Sequence, residues 1–211
     1  MINRIINYLD SLFPNSNCEL NYSKDYELLI SVMLSAQTTD KRVNEVTSVL
    51  YKKYNTLEKL AFADINDIIK IIRPIGTFYK KSSNIICIAR RLIADTDGKV
   101  INDRAYLETL PGVGRKTVNV VLANLYNEPL IAVDTHVSRV AKRLYLAYNT
   151  DDVLKIEKKL NKKFPKEVLG RLHHQLVLFG RYYCKAQNPK CDTCTLKDIC
   201  RYYKSENKNR R

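Results

Sequence analysis

Apolar residues recur at helical spacing along nearly the whole chain, and no convincing alternating strand interrupts them. Ile2, Ile5, Ile6, Leu9 and Leu12 form one stripe, Val43, Val46, Val49 and Leu50 a second, and Ile85, Ile86, Ile88, Ala89, Leu92 and Ile93 a third. Start and stop signals cut this pattern into about ten helices. Asp25, Thr39, Thr56, Asp64, Asn102 and Thr150 are placed to cap helix N-termini, and Pro165 suits a first helical position. Pro74, Gly76 and Gly98 mark interruptions, and the short connections imply a compact all-α fold. The polar, basic tail from Tyr202 to Arg211 is expected to fray.

At 211 residues the chain has length for one large domain or two small ones. No stretch approaches the roughly 20 apolar residues of a membrane span, and MINRIINYLDSLFPN lacks a signal-peptide cleavage pattern, so a cytoplasmic protein is expected. Lys and Arg number 36 against 22 Asp and Glu, a net charge of +14 that points to a polyanion such as nucleic acid. The chain is also rich in Lys, Asn, Ile and Tyr throughout, so the charge supports such a partner without establishing it.

Four cysteines close the chain as Cys184-x6-Cys191-x2-Cys194-x5-Cys200. Thiolate is the soft ligand that iron and zinc prefer, and four this close together can surround one centre without a large fold to gather them. Structural zinc usually takes two close pairs, whereas only Cys191 and Cys194 are closely paired here. Spacing therefore favours an iron–sulfur cluster over zinc, and disulfides stand below both. Cys18 and Cys87 remain, and read as buried free thiols.

Only six glycines occur, yet two fall in Leu110-Pro111-Gly112-Val113-Gly114-Arg115-Lys116-Thr117. This run lies between a short helix over 102–110 and another whose apolar face carries Val118, Val121, Leu122 and Leu125. Glycines let the chain reverse tightly with its amides uncovered, and the amides of a following helix N-terminus favour an anion. The segment reads either as a plain αα-hairpin or as a seat for a phosphate oxygen. Ala132-Val133-Asp134-Thr135-His136-Val137 starts a further helix, which Asp134 would cap.

The hairpin, the VDTH segment and the terminal cysteine loop, in this order, resemble the endonuclease III family of DNA repair enzymes. Leu34-Ser35-Ala36-Gln37-Thr38-Thr39-Asp40, Leu172-His173-His174 and Phe179-Gly180-Arg181-Tyr182-Tyr183-Cys184 extend the resemblance over essentially the whole chain. It implies two helical lobes with a DNA-binding cleft between them. One is a six-helix domain over 19–128 with a helix-hairpin-helix motif at 102–126. The other joins 1–18 to 129–211 and holds a [4Fe–4S] cluster on Cys184, Cys191, Cys194 and Cys200 in the loop 184–200. His173 and His174 are then core or helix-boundary residues, not ligands.

Family members remove oxidised pyrimidines from duplex DNA and cut the strand at the abasic site. The resemblance places Lys116 as the nucleophile and Asp134 as the catalytic aspartate. A primary amine can displace the base from the sugar and leave an imine, which permits β-elimination. The amine must first shed its proton, which Arg115, partial burial and the helix N-terminus are expected to assist. Gln37 matches the residue that enters the duplex beside the extruded base, with Asp40 as a pocket or capping residue. Gly112, Gly114, Arg115, His136 and Lys190 are implied DNA contacts, supported by Lys185, Lys197 and Arg201. Double-stranded DNA carrying a damaged base or abasic site is the implied partner, for a monomer acting at the nucleoid.

Three positions depart from the family pattern. Thr77 stands where an apolar wedge is usual, and Phe78 is expected to replace it. Gln175 stands where relatives often carry tryptophan, and Asn188 where a basic residue is common. Two other readings compete. Adenine-removing glycosylases share the hairpin, aspartate and cluster but generally lack the lysine and carry a further C-terminal domain; Lys116 and the end at Arg211 argue against that class. A DNA-binding protein without turnover is opposed by the presence of both Lys116 and Asp134.

Overall fold

Nine consecutive residues, Tyr26 to Leu34, are buried along one helix, which is apolar on nearly every face and is therefore enclosed by its neighbours. In the computed structural model, which describes residues 1–209, this is α2 (Asp25–Leu34), the axis of a compact unit formed by residues 18–126. Around it the unit arranges α3 (Asp40–Lys53), α4 (Leu57–Ala61), α5 (Ile65–Ile72), α6 (Phe78–Thr96), α7 (Arg104–Glu108) and α8 (Arg115–Tyr126). Helices α3, α6 and α8 pack on α2, while α4 and α5 pack on α6. Leu28, Leu29, Ile30, Ile85, Ile88 and Leu92 meet no solvent, and each such side chain contributes about 1.5–3 kcal/mol of burial.

Residues 1–17 and 127–211 form the second unit. It contains α1 (Ile2–Leu12), α9 (Thr135–Arg143), α10 (Val153–Lys163), α11 (Lys166–Leu178) and α12 (Arg201–Asn209). Ile5 and Leu9 of α1 share a core with Val137, Val140, Leu160, Leu172 and Phe179, so the first helix packs among helices made more than a hundred residues later. Gln175, fully buried on α11, donates to Asp10 Oδ1 at 2.8 Å and to the Phe13 carbonyl at 3.3 Å. An amide thus ties α11 to α1 by hydrogen bonds.

Thr39, Thr56 and Asp64 cap their helices as expected, each accepting from a backbone N–H two or three residues on. Asp25 is instead the first residue of α2. Its Oδ2 accepts from the Val100 amide at 2.7 Å, while Glu27 reaches back to the amides of Ser23 and Lys24. The caps expected at Asn102 and Thr150 fall to Asp103 and Asp152, and Pro165 precedes the helix that opens at Lys166. The tail expected to fray forms α12, with the Tyr202 ring held under Arg143 at 4.0 Å; its last residues, Arg210 and Arg211, lie outside the described residues. Cys18 is mostly buried, but Cys87 is exposed on the outer face of α6, contrary to expectation. Among the described residues no helix is long and apolar enough to cross a membrane.

Candidate active site and metal centre

The glycine run turns between α7 and α8, and its two glycines do different things. Gly112 has φ +77, and a Cβ there would stand 2.4 Å from Asn84 Nδ2 and 3.2 Å from Met33 Cγ. It is glycine for a left-handed backbone and for close packing against α6 and α2. A Cβ on Gly114 would meet nothing within 4 Å, so this side of the turn is open to an incoming group. The Gly114 carbonyl accepts the first helical bond of α8, from Val118, so the opening amides of α8 lie directly behind the open glycine. Arg104 on α7 braces the hairpin by donating to the buried Asn119 Oδ1 on α8 at 2.7 Å.

Lys116 sits in the first turn of α8 and is exposed, not partly buried as expected. The turn between α2 and α3 carries Gln37, exposed and in the left-handed region at φ 57. Thr77 shares that conformation at φ 57 and ψ 31 immediately before α6, a rare state for a β-branched residue. Phe78 opens α6 half-buried, its ring tilted against that of Tyr79 with 4.4 Å between centroids, and Tyr79 is the more exposed ring of the pair. Asp40, half-buried, is the first residue of α3.

In the second unit Asp134 caps α9, its Oδ1 accepting from the Val137 amide at 2.8 Å. It remains half-exposed, so capping leaves part of the carboxylate accessible. His136 in the next turn lies against Gly180, where a Cβ would come within 2.7 Å of His136 Cβ. Gly180 belongs to a π-helical turn, Phe179–Tyr183, that continues α11 and delivers Cys184; the Cys184 amide closes it by donating to the Phe179 carbonyl at 2.7 Å. Extra residues in a helical turn of this kind re-aim the chain, often at functional sites.

Cys184, Cys191, Cys194 and Cys200 line one partly open pocket, together with apolar side chains that include Leu144 and Phe179. Burial pushes the thiols of Cys184, Cys191 and Cys194 up, and Arg143 draws Cys184 back down through a 3.3 Å contact to its Sγ. Four thiols on one apolar pocket suit a thiolate-ligated iron–sulfur cluster by their donor chemistry, with protons released as the ligands bind. Arg143 also donates to the carbonyls of Lys185 at 2.7 Å and Ala186 at 3.2 Å, while Arg139 donates to those of Cys184 at 3.0 Å and Gly180 at 2.6 Å. From α1, Arg4 grips the far side of the loop through Asp198, at 2.6 Å, and the Thr195 carbonyl. Lys190 lies exposed over the Tyr183 ring at 4.7 Å, and Asn188 has φ 47, a left-handed state that asparagine tolerates better than a longer basic residue. Arg139 and Arg143 went unnoticed in the sequence, although their four-residue spacing puts them on one face of α9.

His173 is buried within α11 and His174 half-buried beside it, where burial lowers the His174 imidazole. Neither lines the cysteine cavity.

Residues 30–166 match the model of the HhH-GPD superfamily of base excision DNA repair proteins, and residues 184–200 match that of the iron-sulfur binding domain of endonuclease III. Endonuclease III of Bacillus subtilis (strain 168) is 45% identical over 193 residues, covering 92% of this chain and 88% of its own. A solved structure of a trapped endonuclease III–DNA covalent intermediate superposes with a TM-score of 0.92 at 44% identity, covering 97% of this chain and 96% of the other. A non-covalent endonuclease III–DNA complex gives 0.93 at 43% identity over 98% and 97%.

Proposed function

This chain belongs to the endonuclease III family of DNA glycosylases and abasic-site lyases with a [4Fe–4S] cluster, and from that membership we propose how its own residues divide the chemistry. Lys116 is the nucleophile: its amine attacks C1′ of the damaged nucleotide, the C1′–N bond to the oxidised pyrimidine breaks, and the sugar ring opens to an imine. The imine acidifies the adjacent C2′ proton, and loss of that proton expels the 3′ phosphate by β-elimination. Water could also displace the base, but the aldehyde form of the abasic sugar it leaves acidifies C2′ less than a protonated imine does. Asp134 supplies the carboxylate that takes the amine proton and balances positive charge on the sugar as the base departs.

Gly112, Gly114 and Arg115 hold the DNA backbone at the open hairpin, and Gln37 fills the gap left by the extruded base. Phe78, backed by Tyr79, serves as the apolar wedge in place of the residue at Thr77. His136 and Lys190 contact phosphates from the second unit. When bound, the cluster cross-links the loop 184–200 through its cysteine ligands and so fixes the direction of the loop's cations. The enzyme acts as a monomer on damaged duplex DNA in the cytoplasmic nucleoid.

The observation that carries this reading is the exposed lysine in the first helical turn behind a glycine hairpin open on one side. Incubation with a duplex bearing one thymine glycol, followed by borohydride, tests it. A covalent protein–DNA adduct on a denaturing gel is expected. Base release with no adduct would mean that water, not an amine, is the nucleophile.

A further inference from the structure

Lys81 is a cation with only 5% of its surface exposed, on the buried face of α6, and its ammonium is met by two backbone carbonyls and a hydroxyl. Its Nζ donates to the carbonyls of Leu34 at 2.9 Å and Ala36 at 2.8 Å, with Thr38 Oγ1 at 3.4 Å. These acceptors are the last residue of α2 and two residues of the turn that follows, on either side of Gln37. Carbonyls at a helix C-terminus carry partial negative charge, so the ammonium is solvated by the backbone it holds. Burial lowers the Lys81 amine, as expected where desolvation is only partly compensated.

A turn can be closed more cheaply than by burying a charge; glycine at the helix end does it routinely. What the lysine adds is rigidity at a strained place. Gln37 is held at φ 57, a conformation that persists in a residue other than glycine only when its surroundings over-determine it. The same residue anchors the other strained position, because the Lys81 amide donates to the Thr77 carbonyl at 3.1 Å and closes the first turn of α6. One helical turn further along this face, Asn84 packs under Gly112 of the hairpin.

We infer that Lys81 is a positioning residue, whose buried ammonium locks the Gln37 turn to the start of α6 so that Gln37 is presented preorganised to the partner base of the extruded nucleotide. The inference rests on the reading that Gln37 enters the duplex. Displacement of a positioned group by about 1 Å can cost up to a hundredfold in rate, so a loosened turn should slow excision measurably.

The test compares holoenzyme variants Lys81→Met, Gln37→Ala and the double substitution in single-turnover excision of thymine glycol. The same proteins are then assayed for strand cleavage at an abasic site opposite adenine and opposite a second abasic site, where no orphaned base is left to meet. If Lys81 acts through Gln37, each single variant slows excision about tenfold or more, the double is no slower than the worse single, and the defect shrinks when the partner base is absent. Excision at the wild-type rate by Lys81→Met, with Gln37→Ala slow, would overturn the role of Lys81 and leave that of Gln37 standing. Multiplying defects, or equal slowing with and without the partner base, would reduce Lys81 to general stability and overturn the inference. Full activity of Gln37→Ala would remove the underlying reading and the inference with it. Circular dichroism and the melting midpoint establish that each variant folds; Lys81→Gln, which keeps one donor, replaces Lys81→Met in the same comparisons if the latter does not.

Discussion

Lys116 and the two hairpin glycines show how much a single side chain, or its absence, decides here. Lys116→Ala removes the amine but no packing, since the residue is exposed. It should bind lesion-containing duplex within a few-fold of the parent while base release and strand cleavage fall by at least about a thousandfold, as loss of a covalent nucleophile requires. Gel-shift and single-turnover assays separate the two effects. Gly112→Ala puts a Cβ within 2.4 Å of Asn84 Nδ2 at a left-handed position and should cost about 2–3 kcal/mol in urea denaturation. Gly114→Ala meets open space in the free protein, so it should fold normally and lose affinity for DNA. The sequence announces both glycines alike; only the neighbours tell them apart.

At the scale of elements, α9 joins two tasks. Its first residue follows the Asp134 cap, and its last turn places Arg143 among the carbonyls of the cysteine loop. Arg143→Ala leaves the four cysteines intact but removes bonds from a charged donor, worth about 1.5–3 kcal/mol each. The loop should then release its cluster to a chelator faster than the parent, followed by bleaching of the cluster's visible absorbance; unchanged release would show that the cysteines alone hold the loop. Periodicity made the helices legible, and cap residues located most N-termini to within a residue or two. The cysteine spacing and the hairpin were legible because their partners are close in sequence. Arg139, Arg143 and Lys81 were not, because most of their acceptors are backbone carbonyls, which every residue carries and no sequence distinguishes. The frayed tail failed for a related reason: a polar segment becomes a helix once Arg143 covers Tyr202.

For the whole molecule, acid sensitivity should be shared by both units, since Lys53 holds Asp67 of the unit formed by 18–126 below its usual range as well. Lys159 holds the buried Asp151 carboxyl below its usual range, and Arg171 does the same for Asp10. A carboxylate depressed in the folded state adds stability above its unfolded pKa of about 3.9, and this is lost as pH falls through the lower folded value. Asp151 and Asp10 lie in the unit formed by 1–17 and 127–211. Its melting midpoint should therefore fall progressively below about pH 4, and Asp151→Asn should lower it near neutrality while flattening the acid slope. A scan of midpoint against pH for parent and variant would show parallel curves if the ion pair contributes nothing.

The sharing of one core by both ends of the chain has a consequence for biosynthesis. On the ribosome α1 emerges well before the helices that cover Ile5 and Leu9, and before the Asp198 that receives Arg4. Residues 18–126 can close around α2 while α1 still waits as an unpartnered amphipathic segment. A helix made before the 18–126 unit thus docks after it.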